Sequence, residues 1–358
     1  MDNSELLLKE LTETHGVPGH EDQIRKLMAR ELKPLTNSIE YDRMGSIMGV
    51  KKGTTDSPRV MIIAHMDEIG FMVSEITPEG YIKFLPLGGW WGHVALGQRL
   101  KILTAKGEVI GVVGSKPPHL LPMDERKKVL EITDMFLDVG VQEKFDVQKR
   151  LGIRVGDPIV PDSGFTQMAN PKMYLSKAFD NRMACGVVIE VLKKLQKSKH
   201  PNTVLGCGSV QEEVGLRGSR TLAHLGDPDV CIVCDVGIGQ DVPPDGFKKA
   251  EKLGAGPGVL ALDGSMIPNS KLKNLVIKTG ESKKIPFHLT TMARGGTDGG
   301  GVHISRIGVP SIVIGAPVRY IHSHNGILNR ADYDNTIKLI TEVVKALDKK
   351  TVKSFTEA

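Results

Sequence analysis

The sequence predicts an α/β protein: a mixed sheet sandwiched by helices, with a small β-rich, barrel-like domain inserted into it. Short apolar runs typical of buried strands alternate with amphipathic helices in both end portions of the chain. Between about Phe71 and Pro161, short β-branched segments separated by Gly and Pro replace this alternation. With 358 residues, at roughly 150 per domain, we expect one discontinuous domain over residues 1–68 and 164–358 and an inserted domain over 69–163.

The N-terminal elements follow from their apolar spacing. SELLLKEL and EDQIRKLMARELKPL are amphipathic and predict two helices, separated by the turn-forming GVPGH. SIEYDRMGSIMGVKKG then predicts a hairpin. The apolar run RVMIIA is typical of a strand that is buried on both faces.

The insertion and the C-terminal part differ in character. YIKFLPL, RLKILTAKGEVIGVVGS and DPIVP predict short strands, and only LPMDERKKVLEITDMF shows helical periodicity there. From Lys177 onward a helix (NRMACGVVIEVLKKLQ), a strand (NTVLGCGSV), a helix (SRTLAHL) and a strand (VCIVCDV) follow one another. We expect NLVIKTG, IPFHLTT and VPSIVIGAP, with a final helix in DNTIKLITEVVKALDK, to continue the pattern of strands interleaved with helices.

Composition excludes several classes of protein. The 47 basic and 42 acidic residues are interspersed and aromatics are only 4%, so we expect no nucleic-acid partner. No apolar run approaches the roughly 18 residues of a membrane span, and the N-terminus lacks the features of a secretory signal. We therefore expect a cytoplasmic protein without a membrane partner. The four cysteines stand in apolar segments, as buried thiols in a reducing compartment do; they are Cys185, Cys207, Cys231 and Cys234.

Polar side chains gather where apolar strands end. In open α/β sheets this rim is where ligands bind. The side chains concerned are His65, Asp67, Glu212, Glu213, Asp235 and, after a short loop, His322. Asp180 stands instead at the start of a predicted helix, where N-capping would explain a single Asp.

Together these residues indicate a metal site, although each alone has an ordinary reading as a turn or cap residue. Several carboxylates in a partly desolvated place are costly unless cations neutralise them. Imidazole nitrogen with carboxylate oxygen, without thiolate, suits zinc, cobalt or manganese. Neighbouring side chains in extended backbone point in different directions, so one of Glu212 and Glu213 can bind a metal while the other handles protons. Residues two apart share a face, so Asp67 can steer the imidazole of His65.

Six ordered motifs resemble one known family. AHMDEIGFMV, KAFDNRMACG, VQEEVGLRGS, CDVG, GGTDGG and RYIHSH are similar to motifs of the dinuclear metallo-aminopeptidases of the glutamyl aminopeptidase or tetrahedral (TET) family, some members of which are labelled endoglucanase. The resemblance implies a zinc-peptidase-like fold and two divalent metal ions. It implies that one ion is held by His65, Asp180 and Asp235, and the other by Asp180, Glu213 and His322. It further implies that Glu212 is the general base and acid and that Asp67 orients His65.

The resemblance also implies a function and an assembly. We expect a metal-dependent aminopeptidase acting on short peptides, with an inserted domain that mediates dimerisation within a dodecamer. The loop from Gly295 to Gly301 is expected near the substrate, Trp90 and Trp91 in the core or an interface, and His324 in a supporting or pocket-lining role. Two alternatives stay open: a glycoside hydrolase that uses a pair of carboxylates, and a scaffold of the same fold without activity.

Overall fold

The computed structural model describes residues 1–243 and 251–357. The strands are Ser38–Tyr41 (β1), Ile47–Lys51 (β2), Arg59–His65 (β3), Gly70–Ile76 (β4), Ile82–Leu87 (β5), Arg99–Thr104 (β6), Gly107–Val113 (β7), Leu137–Asp138 (β8), Pro158–Pro161 (β9), Thr166–Gln167 (β10), Met173–Ser176 (β11), Thr203–Ser209 (β12), Val230–Cys234 (β13), Gly237–Ile238 (β14), Gly258–Leu262 (β15), His288–Thr291 (β16), Ser311–Gly315 (β17), Pro317–Arg319 (β18) and Gly326–Asn329 (β19). The helices are Asn3–Glu13 (α1), Asp22–Leu32 (α2), Gly92–Ala95 (α3), Lys144–Asp146 (α4), Phe179–Gln196 (α5), Arg217–Gly226 (α6), Ser270–Ser282 (α7), Gly299–Val302 (α8), Arg330–Ala346 (α9) and Lys349–Ser354 (α10).

A mixed eight-stranded sheet forms the centre of the protein, in the order β1-β2-β12-β3-β13-β17-β15-β16. Strands β12, β3, β13 and β17 are mutually parallel, so their carboxyl ends lie at one edge. All of β12 and β13, and all of β3 except Arg59, are buried, as expected for strands covered by helices on both faces. The parallel centre of the sheet therefore brings four strand ends together at one rim.

Helices α5 and α9 pack against this sheet, α1 packs on α5, and the three helices build the larger core. Helix α5 packs closely because Gly206 of β12 has no side chain: a Cβ there would come within 2.6 Å of Leu192 Cδ1. A smaller core on the opposite face lies under α6. A second, five-stranded sheet, β10-β11-β19-β18-β14, flanks these layers. The zinc-peptidase-like arrangement of a mixed sheet between helices is confirmed.

The inserted segment closes into a barrel in the order β4-β5-β8-β7-β6-β9, with antiparallel pairing throughout the observed ladders. It has its own core, which includes Phe71, Phe84 and Leu137. The predicted β-rich, barrel-like insertion is thus confirmed as part of the fold. The domain limits at residues 68 and 164 and the role of the barrel in dimerisation stay predictions.

Some local predictions were wrong. NLVIKTG lies inside helix α7, which begins where the Asn269 side chain accepts the amides of Lys271 and Leu272. In the insertion, LPMDERKKVLEITDMF forms only two short 3-10 turns, at Glu125–Lys127 and Ile132–Asp134. The buried apolar side chains of this segment are Ile132 and Met135. Two such side chains are too few to hold an α-helix against the barrel.

Two expectations from the apolar segments agree with the structure. All four cysteines are buried with free thiols, and Cys231 and Cys234 lie within β13. Across the described ranges, none of the helices has both the length and the apolar character needed to cross a membrane.

Candidate metal centre

Three parallel strands deliver most of the predicted site residues to one rim. His65 is the last residue of β3, Glu212 and Glu213 follow β12, and Asp235 follows β13 directly. The register places His65 opposite Ser209 on β12, so the strands end level with each other. The structure therefore brings these side chains together, as the strand-end argument predicted.

Asp180 lies between two histidines. Its Oδ1 is 3.2 Å from His65 Nε2, and its Oδ2 is 3.5 Å from His322 Nε2. N-capping does not explain this residue, because Asp180 has non-helical backbone angles within α5 and the N-cap position is Ala178. One carboxylate thus presents a different oxygen to each imidazole, which is the arrangement that a ligand shared by two cations requires.

The other carboxylates surround the same two imidazoles. Asp235 Oδ1 and Glu212 Oε2 are each 3.9 Å from His65 Nε2, and Glu213 Oε2 is 3.8 Å from His322 Nε2. Two overlapping groups of residues each bring three potential ligand atoms within 4.8 Å of one another. The groups are His65, Asp180 and Glu213, and His65, Glu212 and Asp235. These groups divide the residues differently from the two predicted ligand sets, so the assignment of individual ligands stays a prediction.

Asp67 contacts its neighbours in a way that the sequence did not indicate. Its carboxylate accepts the amide of Glu212 at Oδ1 and the amide of Glu213 at Oδ2, both at 3.0 Å. His65 Nδ1 is 3.0 Å from the backbone carbonyl of Asp67 and 3.6 Å from its Oδ1. Because a carbonyl only accepts, Nδ1 carries the proton of the neutral ring and Nε2 keeps its lone pair.

His322 is fixed in the same manner by the inserted domain. Its Nδ1 donates to the carbonyl of Gly89 at 2.7 Å, which leaves Nε2 free to face Asp180. Glycine is needed in this loop: a Cβ on Gly88 would lie 3.0 Å from Glu213 Oε2, and one on Gly89 would lie 3.1 Å from His322 Nδ1. The barrel therefore forms one wall of the site.

Burial dominates the electrostatics of the rim. It raises the pKa values of Glu212, Glu213 and Asp235 well above their usual range, and for Glu213 and Asp235 the charge of Asp180 adds to this. Burial alone would lower the pKa of His65. The surrounding carboxylates, of which Glu212 has the largest effect, outweigh burial and raise this pKa well above the ordinary value. The cluster thus has an excess of buried negative groups that positive charge would stabilise.

An open cleft of about 890 Å³ lies over these side chains. One wall of the cleft is the loop from Arg294 to Thr297, part of the glycine-rich segment, whose place beside a substrate stays a prediction. His324 lies away from the cleft, buried and edge-on to Trp90, with 5.4 Å between ring centroids. Trp90 in turn stacks on Phe71 of the barrel core and donates to the Gly70 carbonyl, whereas Trp91 is exposed.

Comparison with known proteins decides the family. The family model for M42 glutamyl aminopeptidases matches residues 45–339. The chain belongs to the M42 glutamyl aminopeptidase family. This M42 chain is 35% identical to the glutamyl aminopeptidase of Lactococcus lactis over 344 residues (95% of this chain, 96% of the relative). It is 33% identical to the lysyl aminopeptidase of Pyrococcus furiosus over 345 residues (95% and 96%). The resemblance stated from the motifs is confirmed, and the family is one of metallo-aminopeptidases.

Solved structures agree with this assignment. The M42 chain superposes on the TET aminopeptidase of a marine sediment Thaumarchaeota archaeon with a TM-score of 0.96 at 45% identity, covering 99% of this chain and 100% of the other. The TET1 peptidase of Pyrococcus horikoshii, which can assemble into a tetrahedron or a large octahedral shell, gives 0.85 at 29% (96% and 100%), and a further TET1 structure is a dodecamer. A Thermotoga maritima protein described as an endoglucanase gives 0.78 at 27% (98% and 99%).

Sequence reasoning missed a set of buried charged residues beneath the site of the M42 chain. Lys177 Nζ contacts both carboxylate oxygens of Glu68 at 2.6 Å, and Arg182 donates to four backbone carbonyls, among them Met66 O at 2.6 Å. Asp298 is buried and bonds to the hydroxyl of Ser209. Lys177 and Arg182 belong to KAFDNR, and Asp298 belongs to GGTDGG. The presence of charged residues inside these motifs was the sequence signal that could have revealed them.

Proposed function

We propose that this chain removes N-terminal residues from short peptides, using a pair of divalent metal ions at the rim and Glu212 as the proton carrier. The observation that supports it most strongly is the position of Asp180, whose two oxygens face His65 Nε2 and His322 Nε2 at 3.2 and 3.5 Å. Membership of a metallo-aminopeptidase family gives the reaction class.

The residues present fit divalent cations. Both imidazoles turn a nitrogen lone pair into the site, because their Nδ1 atoms are tied to backbone carbonyls. Glu213 Oε1 is buried and has no hydrogen-bond partner in the described part of the chain, as expected of an oxygen meant for a cation. Nitrogen and oxygen donors without thiolate favour zinc or cobalt, with manganese as a further choice.

The proposed ligand sets are those that the family resemblance implies. His65, Asp180 and Asp235 would hold one ion, and Asp180, Glu213 and His322 the other. When bound, such a pair supplies Lewis acidity, which polarises a peptide carbonyl and lowers the pKa of water toward neutral. Asp67 would keep the two glutamates and His65 in register, through its carboxylate and its carbonyl respectively.

Glu212 is the side chain suited to moving the proton. It is buried, its Oε2 lies 3.9 Å from His65 Nε2, and it borders the cleft. It would accept a proton from the attacking water and deliver it to the departing amine, a transfer worth about 10² to 10⁴ in rate. Glu213, the next residue, points to the other histidine, so the two adjacent carboxylates have separate tasks.

Substrate and assembly follow the family. The cleft is open over the rim and admits an extended peptide end, and glycines at 295 and 296 allow the substrate backbone to approach. Because TET relatives form dodecamers and closed shells, we propose that this chain also assembles from dimers through its inserted domain.

Hydrolysis of aminoacyl p-nitroanilides before and after chelation tests the function. Wild type should release p-nitroaniline, lose this activity on chelation and regain it with zinc or cobalt. Glu212→Gln should keep its metal content and lose at least about 10²-fold in kcat, whereas Asp180→Ala should lose metal as well. An active Glu212→Gln enzyme would contradict the proposal.

The glycosidase alternative makes an opposite prediction. A carboxylate pair acting on a glycosidic bond needs no cation, so reducing sugar released from a β-glucan in the presence of chelator would favour it. A scaffold without activity would show neither reaction, even when metal analysis finds the site filled.

A further inference from the structure

Three successive backbone amides beside the proposed base all point at buried carboxylates. Gln211 N–H donates to Glu21 Oε1 at 3.0 Å. Glu212 N–H and Glu213 N–H donate to the two oxygens of Asp67, also at 3.0 Å. The loop that carries Glu212 is therefore held from below by two acidic side chains from distant parts of the sequence.

The carbonyls of this loop already accept other amides. The carbonyls of Val210, Gln211 and Glu212 accept amides from further along the loop, at Gly218, Arg217 and Leu216. Gln211 adopts a left-handed conformation, with φ of 55°, which a residue with a side chain rarely takes without outside support. Glu21 supplies that support at the residue before Glu212.

Glu21 has no evident task in its own helix. It occupies the N-cap position of α2 but makes no side-chain cap bond to that helix. It is 6% exposed, and Oε1 accepts a second amide, that of Gly19, at 2.9 Å. Within residues 1–243 and 251–357, no Lys, Arg or His forms an ion pair with it. Burying an unpaired carboxylate is unfavourable, which points to a role at the loop it contacts.

We propose that Glu21 is a positioning residue for Glu212: with Asp67, it fixes the amides of residues 211–213 and so aims the Glu212 carboxylate into the cleft. The inference rests on the proposed function, because it takes Glu212 as the proton carrier. Glu21 itself is outside the cleft lining and acts only through the backbone. Its effect is thus expected on turnover and not on substrate affinity.

Steady-state kinetics of two variants test the proposal. Glu21→Ala removes the acceptor, so kcat should fall by about 10- to 100-fold with KM within about threefold, as for a small misplacement of a catalytic group. Glu21→Gln keeps an acceptor oxygen and should recover most of kcat. Glu13→Ala is the matched control, because Glu13 also accepts a backbone amide, that of Phe165 at 3.0 Å, but has no link to the loop; it should keep kcat.

Zinc titration and melting curves of the same proteins complete the test. Glu21→Ala should bind as many zinc ions as wild type and remain folded at the assay temperature. The inference is overturned if Glu21→Ala keeps its kcat, if Glu21→Gln is as impaired as Glu21→Ala, or if kcat is lost only together with metal. A wild type without peptidase activity, or an active Glu212→Gln, would instead refute the proposed function.

Discussion

Replacing Glu21 by glutamine should make the protein more stable, relative to wild type, as the pH rises. Burial first, and then the charge of Asp67, raise the pKa of Glu21 from 4.5 to about 7. The folded protein therefore holds this proton more tightly than the unfolded chain does. The stabilisation that comes from binding this proton is fully present below the pKa of the unfolded chain. It is lost as the pH rises through the pKa of the folded protein.

The size of the effect follows from the two pKa values. The difference between about 7 and 4.5, at 1.36 kcal/mol per pKa unit, is about 3.4 kcal/mol over the whole titration. About 2.5 kcal/mol of this falls between about pH 5 and about pH 8. Glu21 is 6% exposed, so solvent screening reduces the value little. The glutamine variant lacks this titration and should gain that amount relative to wild type.

Urea denaturation of metal-free wild type and Glu21→Gln at these two pH values measures the difference. Glu10→Gln is a control of opposite sign, because the hydrogen bond from Arg30 lowers the pKa of Glu10. Removing that carboxylate should destabilise the protein at neutral pH and have less effect as the pH falls through the folded pKa. An equal stability difference for Glu21→Gln at both pH values would contradict the raised pKa of Glu21.

Three further predictions concern the surroundings of the site. Lys177→Met removes the nearest cation from the buried Glu68, which keeps the Gly16 amide and the more distant Arg182 at 3.6 Å, and should cost up to about 3–5 kcal/mol in urea denaturation. Adding Glu68→Gln should restore part of the loss, and no recovery would speak against this prediction. Gly89→Ala crowds His322 Nδ1 and should weaken the affinity for one of the two zinc ions by about 10- to 100-fold, as measured by competition with a chelator. The control variant Gly164→Ala should bind zinc as wild type does. Chelation should lower the melting temperature and zinc should restore it, because ligand bound to the native state stabilises it; a melting temperature indifferent to zinc would count against the site.

The alternation of strand-like and helix-like segments made the fold predictable. The type of one segment, NLVIKTG, was not predictable because it depends on local contacts. Strands such as β3 and β12 are continuous apolar runs between turn signals, and the Gly- and Pro-rich middle of the chain indicated the barrel. NLVIKTG is rich in apolar residues at a spacing that suits either a strand or a helix. The side-chain cap from Asn269 and packing of α7 against α9 decide for the helix, and apolar spacing over seven residues does not reveal either.

The clustering of the candidate site residues was predictable because strand ends meet at one rim, but the contacts that support these residues were not. Glu21 and Gln211 are 190 positions apart, and Gly89 and His322 are 233 apart. Each pair meets through backbone atoms, which carry no sequence signal of their own. A buried charged residue such as Lys177 also cannot be told from a surface one in the sequence, because most lysines are exposed.

The proposed pair of metal ions at the rim can be located by anomalous diffraction from crystals soaked with zinc. We expect two zinc peaks per chain, one between His65 and Asp235 and the other between His322 and Glu213, with Asp180 touching both. A difference map without density at this rim, or with zinc bound only elsewhere, would contradict it.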